Sequence, residues 1–235
     1  MMQLDAPASR YELTAALGTL ARAGWFSDRS ERTRALIGTE ARLRRFRPGE
    51  ALYHVGDAPN GLYGLVEGAL RISVPRDDGE DYVIHRADPG FWIGDAAQFS
   101  DDARLVTLIA VAHTTVVHIP AEALERLVDA EPRLYRDFYA LTHWNLRTAL
   151  RLFVNTLVPE SDLRVALRLL HQDELAGQTE RGVALAQAEF ADLVGLSLPT
   201  LQRALRRLAE AGLVELGYGR IRILDRAGLL RRCLR

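Results

Sequence analysis

The pattern of apolar and polar positions divides the chain into stretches with different periods. Over residues 10–45 the leucines recur at helical spacing, with a break around residues 24–29, and predict amphipathic helices. From residue 46 the apolar positions alternate and glycines recur at short intervals, which is typical of short strands joined by turns. After Pro120 the helical period returns, first in a short helix over residues 121–128.

The alternating stretch predicts a domain built of β-strands. Its apolar runs lie at residues 51–53, 62–66, 69–74, 82–85, 105–111 and 115–119. Many short strands with glycine-bearing turns indicate a sandwich or barrel. Asp77-Asp78-Gly79 is a sequence that commonly joins two strands in a hairpin.

Residues 132–158 predict one long helix with two apolar stripes. The first stripe, Leu134, Phe138 and Leu141, ends near the middle of the helix. The second has the 4-3-4-3 spacing of a helix–helix seam and consists of Tyr139, His143, Leu146, Leu150, Phe153 and Leu157. A helix of about 25 residues is longer than a β-domain of this size can cover, so we expect its second half to pair with another subunit. The alternative is that both stripes are core within one chain.

The stretch from Leu185 to Leu216 is the most informative part of the chain. It predicts a helix that ends at Gly195 and a second helix that begins after Ser197, with Pro199 in its first turn. The residues that we expect to face DNA here are Ser197, Leu198, Thr200, Gln202, Arg203, Arg206 and Arg207. A short cationic helix supported by another helix fits the major groove.

A two-stranded wing follows this helix pair. Residues 213–216 and 220–224 alternate like strands around the turn Gly217-Tyr218-Gly219. Its outward residues, Arg220 and Arg222, are placed to meet phosphates. The helix pair alone fits an ordinary helical hairpin with a solvated arginine face equally well, and the wing favours DNA binding.

Charge and cysteine usage narrow the class of protein. The net charge is −1, yet residues 181–235 hold ten arginines against five carboxylates, which fits a local nucleic-acid footprint. A random fluctuation of charge is the alternative. The single cysteine, Cys233, excludes internal disulfides and multi-cysteine metal or iron–sulfur sites within one chain.

Other function classes receive little support from the sequence. No run approaches the roughly 20 apolar residues of a membrane span, and no secretory signal is visible, so we expect a cytoplasmic protein that does not bind membranes. No nucleophile–base set, phosphate loop or metal-ligand spacing is present, so we expect neither an enzyme nor a bound metal. A signalling scaffold whose helix-turn-helix has lost DNA binding stays as a second hypothesis.

The order of parts resembles the CRP/FNR family of bacterial transcription regulators. The motifs that carry the resemblance are Pro48-Gly49-Glu50, Val55-Gly56-Asp57, residues 62–68, residues 89–95, Arg164-Val165-Ala166, the helix-turn-helix and Gly219-Arg220-Ile221. The resemblance implies an α+β fold with an N-terminal β-roll or jelly-roll sensor domain, a dimerisation helix and a C-terminal winged helix-turn-helix. It also implies a homodimer that binds a palindromic operator in double-stranded DNA and works with RNA polymerase.

This resemblance suggests a division of the chain into four parts. They are a helical segment over residues 1–45, a cyclic-nucleotide-binding-like β-roll over 46–131, the dimerisation helix over 132–158 and the DNA-binding domain over 159–235.

The expected effector site departs from the family pattern. Where cyclic-nucleotide-binding members have Gly-Glu and then Arg-Ser or Arg-Thr, this chain has Gly94-Asp95 and Arg104-Leu105, and Thr148 is the polar residue that would meet the base. Leu105 supplies no hydroxyl and Asp95 is one methylene shorter than Glu. We therefore expect an effector other than cyclic AMP.

Three alternatives stay open at this site: a different small molecule, no ligand, or cyclic AMP or GMP held by Gly94, Asp95, Arg104 and Thr148. For Arg104, an ion pair with Asp95, Asp101 or Asp102 is the other interpretation. No cofactor is otherwise implied.

The expected base contacts depart from the family as well. Leu198 and Pro199 stand where members usually place their first base-reading residues, while Gln202 and Arg203 are retained. Arg203 is suited to guanine and Gln202 to adenine. The operator is therefore expected to differ from those of better-known relatives.

Overall fold

The computed structural model describes residues 9–79, 81–175, 183 and 185–233. Two compact units divide the chain, Met1–Leu146 and Arg147–Arg235, and each is described by itself. Residues 1–8 of the predicted N-terminal segment, and residues 176–182 of the predicted DNA-binding domain, lie outside the described residues.

The N-terminal segment is helical over a shorter stretch than expected. Helix α1 (Arg10–Leu20) begins with a capping box between Ser9 and Glu12, and α2 (Glu31–Glu40) follows a 3₁₀ turn at Trp25–Asp28. The prediction of helix up to residue 45 is wrong, because β1 (Arg42–Phe46) is a strand. Leu43 lies opposite Val117 in an antiparallel pairing, so a distant strand decides its conformation.

The first unit contains two four-stranded antiparallel sheets. The strands after β1 are β2 (Ala51–Tyr53), β3 (Leu62–Glu67), β4 (Leu70–Pro75), β5 (Asp81–Ala87), β6 (Trp92–Ile93), β7 (Thr107–Ala110) and β8 (Thr114–Ile119). Their order is β1-β8-β3-β6 in one sheet and β2-β7-β4-β5 in the other. All six predicted strands are found, whereas β1 and β6 were not predicted.

Two apolar clusters hold this unit together. One lies between the sheets and joins Tyr63 and Leu65 of one sheet to Leu70 and Leu108 of the other. The second cluster covers the outer face of the β1-β8-β3-β6 sheet with helices. It contains Trp25, Phe26, Trp92, Val117, Leu124 and Phe138. Helices α3 (Asp95–Ser100) and α4 (Ala121–Ala130) belong to this unit. The two-sheet core with helices on one face is the β-roll that was expected.

Helix α5 (Leu134–Thr156) is the predicted long helix. Leu134, Phe138 and Leu141 are buried, as the first stripe predicts. In the part of the helix that belongs to the second unit, Thr148 and Asn155 are buried. The sequence did not indicate their burial, since both of these residues are polar.

The second unit carries the helix-turn-helix and its wing. Its elements are α6 (Ser161–Leu175), α7 (Gln187–Val194), α8 (Leu198–Glu210), β9 (Val214–Gly217), β10 (Arg220–Ile223) and α9 (Arg226–Cys233). Gly195 ends α7 in the left-handed conformation (φ 62°), which a glycine adopts without strain. The core of this unit includes Val165, Leu169, Phe190, Leu201, Leu205 and Leu208.

Within the described parts of the chain, no helix is both long enough and apolar enough to cross a membrane.

Candidate DNA interface and effector site

Helix α8 presents one buried face and one exposed polar face. Leu201, Ala204, Leu205 and Leu208 are fully buried, as their spacing predicts. Ser197 stands at the N-cap in extended conformation, but its hydroxyl lies 2.9 Å from the Thr200 hydroxyl instead of accepting from a backbone N–H. The expected capping bond is therefore replaced by a contact between two side chains.

The exposed face of α8 carries three side chains suited to base edges and phosphates. The Gln202 amide donates to Gln187 at 3.2 Å, and Arg203 donates to the Thr200 hydroxyl at 3.0 Å. Arg206 is exposed and forms no ion pair with any residue that the structure describes. Leu198 is partly exposed at the first position of the helix. These guanidinium groups are not neutralised by a described carboxylate.

Arg207, which the sequence also places on the outward face, is paired with a carboxylate of another helix. Its Nε donates to Asp162 at 2.8 Å and its Nη2 to the other carboxylate oxygen at 2.5 Å, so the pair joins α8 to α6. Hydrogen bonds from Arg207 hold the pKa of Asp162 below its usual range. Without DNA, the Arg207 guanidinium joins two helices, and the DNA contact expected of this residue stays a prediction.

The wing is an antiparallel pair in which Ile221 is buried while Arg220 and Arg222 are exposed. Arg222 lies opposite Glu215 and donates to its carboxylate at 2.8 Å, which neutralises its charge locally. Arg220 is paired with Gly217 across the hairpin. Of the two predicted phosphate contacts, Arg220 is thus the better placed.

The structure brings together three of the four candidate effector residues, Gly94, Asp95 and Arg104, in the first unit. The Arg104 guanidinium is buried and donates to the backbone oxygens of Gly94 at 2.8 Å and Gly61 at 2.7 Å. It also donates to Asn60 at 2.5 Å and lies 4.3 Å over the Tyr53 ring. Neutral oxygens surround this cation, and none of the three carboxylates suggested by the sequence pairs with it.

Backbone atoms pack closely around Gly94 beside the Arg104 guanidinium. Gly94 has a φ of 112°, and a Cβ there would lie 2.6 Å from the Gly61 oxygen and 3.0 Å from the Arg104 guanidinium. Only glycine fits this position.

Asp95 is engaged by α5. Its carboxylate is buried and accepts a hydrogen bond from Asn145 at 2.8 Å. Burial raises the pKa of this carboxyl group, while hydrogen bonds from Thr142 and Asn145 oppose the change. Thr148, the fourth candidate, is buried in the second unit, and Leu105 is exposed.

The polar groups that the family uses for a cyclic nucleotide are largely engaged within this protein, although the buried Arg104 Nε has no hydrogen-bond partner among the described residues. The guanidinium that would hold the phosphate already donates to three protein oxygens, and the carboxylate that would accept the ribose hydroxyl already accepts from Asn145. A phosphate would have to displace bonds made in a buried environment, which is costly.

The predicted dimer seam is an exposed apolar stripe along α5. Tyr139, Leu146, Leu150, Phe153 and Leu157 are each more than half exposed, and Val154 beside them is as well. His143, the polar member of the stripe, is also exposed. A row of large exposed apolar side chains, interrupted here by His143, is typical of a surface that another helix covers.

Family comparisons match the two units separately. The family described as the cyclic nucleotide-binding domain matches residues 43–131, and the Crp-like helix-turn-helix domain matches residues 163–232. The combination defines a winged helix-turn-helix regulator with a cyclic-nucleotide-binding-like β-roll.

Similar proteins share this arrangement. The transcriptional activator protein FnrA of Stutzerimonas stutzeri is 27% identical over 202 residues, which are 83% of this chain and 82% of that protein. The cyclic AMP receptor protein of Thermus thermophilus is 28% identical over 188 residues, 78% of this chain and 85% of that protein. The structure of FixK2 from Bradyrhizobium japonicum has the same fold, with a TM-score of 0.72, 24% identity and coverage of 81% of this chain and 96% of that one.

The chain belongs to the CRP/FNR family of transcription regulators, as its motifs predicted. It is a regulator of this type, with a DNA-binding helix-turn-helix and a cyclic-nucleotide-binding-like domain.

Proposed function

We propose that this protein is a homodimeric, sequence-specific DNA-binding regulator that acts in the cytoplasm on a palindromic operator and works with RNA polymerase. The observation that carries the proposal is the exposed face of α8, where Gln202, Arg203 and Arg206 are free of carboxylate partners among the described residues. A bidentate guanidinium reads guanine, and an amide reads adenine.

The exposed stripe of α5 supports the homodimer. Its side chains follow a 4-3-4-3 spacing, which aligns them along one face of the helix, as in the seam of a helix pair. A two-fold dimer presents two copies of α8 to successive major grooves about 34 Å apart, which matches a palindromic site. Leu198 and Pro199 occupy the first positions of α8, so the half-site differs from those read by a glutamate there.

The β-roll does not take cyclic AMP as its effector in this proposal. Arg104 and Asp95 are both engaged within the protein, and Leu105 supplies no hydroxyl. A different small molecule that favours one dimer arrangement acts by shifting the population of DNA-competent dimers.

Selection from a random duplex pool tests this function. The full-length protein is incubated with the pool with and without cyclic AMP or GMP, and bound duplexes are sequenced. We expect one palindromic motif, with or without nucleotide, and affinity that falls steeply with salt. A protein that retains no duplex at low salt is the scaffold of the second hypothesis, and enrichment only with a cyclic nucleotide contradicts the effector proposal.

A further inference from the structure

Two glutamine side chains join α7 to α8. Gln187 is the first residue of α7, and its amide oxygen accepts a hydrogen bond of 3.2 Å from the Gln202 amide of α8. Gln187 is half-buried, whereas Gln202 is exposed on the face of α8 that carries Arg203. The bond connects the supporting helix to a residue that we expect to read a base.

The core holds the backbone on both sides of this bond. Phe190 lies one helical turn after Gln187 and is fully buried. Leu201, the residue before Gln202, is fully buried as well. Gly195 ends α7 in the left-handed conformation and keeps the connection to α8 short. The two amides therefore meet from positions that the packing of the two helices fixes.

The bond leaves Gln202 with the two groups that adenine requires. A glutamine amide has two N–H donors and one oxygen that accepts. When one N–H is given to Gln187, the other N–H is left for adenine N7, and the oxygen is left for the adenine N6 amino group. A glutamine side chain loses much rotamer freedom when it is fixed, so one that is held before DNA arrives loses less on binding. Gln187 thus orients the amide and lowers the entropic cost of its contact.

The other expected base reader is held in a separate way. Arg203 donates to the Thr200 hydroxyl at 3.0 Å, and that hydroxyl lies 2.9 Å from the Ser197 hydroxyl. Because Thr200 accepts from Arg203, its own hydrogen is available to Ser197, and the three side chains form a relay along α8. The described bonds of this relay include neither Gln187 nor Gln202. The two readers are therefore positioned independently.

We propose that Gln187 determines part of the operator sequence without reading a base itself, by holding the Gln202 amide in the orientation that selects adenine. The inference rests on the proposed DNA-binding function and deepens it, because it assigns part of the base preference to the supporting helix. Gln187 is a positioning residue in this role. A side chain that only bound phosphate would instead raise the affinity for every duplex equally.

Competition between single-base variants of the operator identifies the two base pairs concerned. The full-length wild type is titrated with its selected duplex against versions that are changed at one base pair each. The base pair whose preference disappears in Gln202→Ala is the one that Gln202 reads, and Arg203→Ala identifies the other in the same way. We expect adenine at the first position and guanine at the second.

Gln187→Leu removes the acceptor and nearly keeps the length of the side chain. We expect the preference for adenine to fall about fivefold, which is part of what a bidentate contact supplies. The preference for guanine should stay, because Arg203 is held by Thr200. The salt slope and the melting temperature should stay as well, because no charge is removed and Gln187 is only half-buried. In combination with Gln202→Ala, the substitution should not change the preference further, because it acts through Gln202.

Gln187→Glu is the conservative variant. Its carboxylate accepts from the Gln202 N–H and cannot donate, so it permits only the proposed orientation of the Gln202 amide. We expect its negative charge to weaken binding to every duplex while the preference for adenine stays that of the wild type. Thr200→Val is the reciprocal variant, in which the preference for guanine falls and the preference for adenine is kept.

Four results overturn the proposal while DNA binding itself stands. An unchanged adenine preference in Gln187→Leu shows that Gln202 needs no support. An equal loss of affinity for every duplex shows that Gln187 contacts the DNA backbone. A loss of preference at both positions shows that α8 has moved, and a lost adenine preference in Gln187→Glu shows the opposite orientation of the amide. Failure of the wild type to bind any duplex refutes the DNA-binding function and this inference together.

Discussion

The guanidinium of Arg207 and the carboxylate of Asp162 face each other in a two-point ion pair that joins α8 to α6. The same carboxylate accepts from Arg232 of α9 at 3.2 Å, so one aspartate links three helices of the DNA-binding unit. Arg206, the preceding residue of α8, takes no part in this network. Two adjacent arginines therefore have different electrostatic partners.

This difference predicts opposite behaviour of two neighbouring alanine variants. Arg207→Ala lowers the melting temperature of the second unit by about 2–4 °C and leaves the salt dependence of DNA binding unchanged. Arg206→Ala leaves the melting temperature unchanged and reduces the salt slope by about one, because one phosphate contact is lost. Calorimetry and DNA titrations at several salt concentrations measure both quantities. A reduced salt slope in Arg207→Ala would show that Arg207 also contacts a DNA phosphate.

Arg203→Ala should relax the sequence preference at one base pair of each half-site. Loss of a bidentate contact to guanine costs about 1–3 kcal/mol of specific binding, while binding to random duplex weakens much less. Competition between the selected operator and single-base variants measures the preference. If every variant operator loses affinity equally, Arg203 contacts the backbone instead of a base.

Leu150→Glu should dissociate the dimer. In a two-fold dimer, a carboxylate in the middle of the exposed stripe lies near the same carboxylate of the other subunit. Because both subunits carry the substitution, the energetic penalty is doubled, and we expect the dimer dissociation constant to rise about 100-fold or more. Tyr11→Glu makes the same kind of change at an exposed apolar residue of α1 and serves as the control. Sedimentation velocity across a concentration series separates the two forms. A wild type that stays monomeric at every concentration would remove the seam from the proposal.

Arg104→Ala should destabilise the first unit strongly, because the Gly61 and Gly94 oxygens lose their buried donor. We expect a loss of about 2–4 kcal/mol in the free energy of unfolding, and a smaller loss for Arg104→Lys, which keeps one donor group. All three tryptophans, Trp25, Trp92 and Trp144, lie in this unit, so their fluorescence reports its unfolding.

We expect cyclic AMP to leave the unfolding transition of the wild type unchanged. A ligand that bound the folded protein would raise the free energy of unfolding by about 2.7 kcal/mol at a hundred times its dissociation constant, so binding would be detected. A saturable increase in stability with cyclic AMP would show that a phosphate replaces the internal hydrogen bonds of Arg104.

His118 predicts a loss of stability in mild acid. Burial lowers its pKa from 6.5 to about 4, and the charges of Arg44 and Arg42 act in the same direction, while a hydrogen bond with the Asn60 oxygen at 2.8 Å opposes it. Between these two pKa values the unfolded chain binds a proton that the folded chain does not. The stabilisation is therefore complete above pH 6.5 and declines as the pH falls towards 4, by about 2 kcal/mol at pH 5.

Denaturant titrations of tryptophan fluorescence at pH 7 and pH 5 measure this contribution. His118→Gln cannot titrate, so its stability should change less between the two pH values than that of the wild type. Equal pH dependence of both proteins would mean that other groups are responsible.

Much of the architecture was predictable because it follows from local periods. The leucine spacing of α8, the glycine at residue 195 and the alternation within β3 and β4 each specify an element from a few neighbouring residues. Strand β1 was missed because Arg42, Arg44 and Arg45 are exposed, and its conformation depends on pairing with β8 about 70 residues later. Helix α9 carried no comparable signal.

The sequence by itself determined the class of protein, the kind of each main element and the cationic face of α8, since these depend on residue type and short-range spacing. Only the tertiary structure decided which charged side chains are available. Arg207 and Arg206 are chemically identical in the sequence, but Asp162, 45 residues away, neutralises one of them. Arg104 likewise matches a phosphate-binding position, yet backbone oxygens from residues 10 and 43 positions away accept from its two Nη atoms. Electrostatic partners act through space, so the sequence identifies the charges and the fold alone assigns their roles.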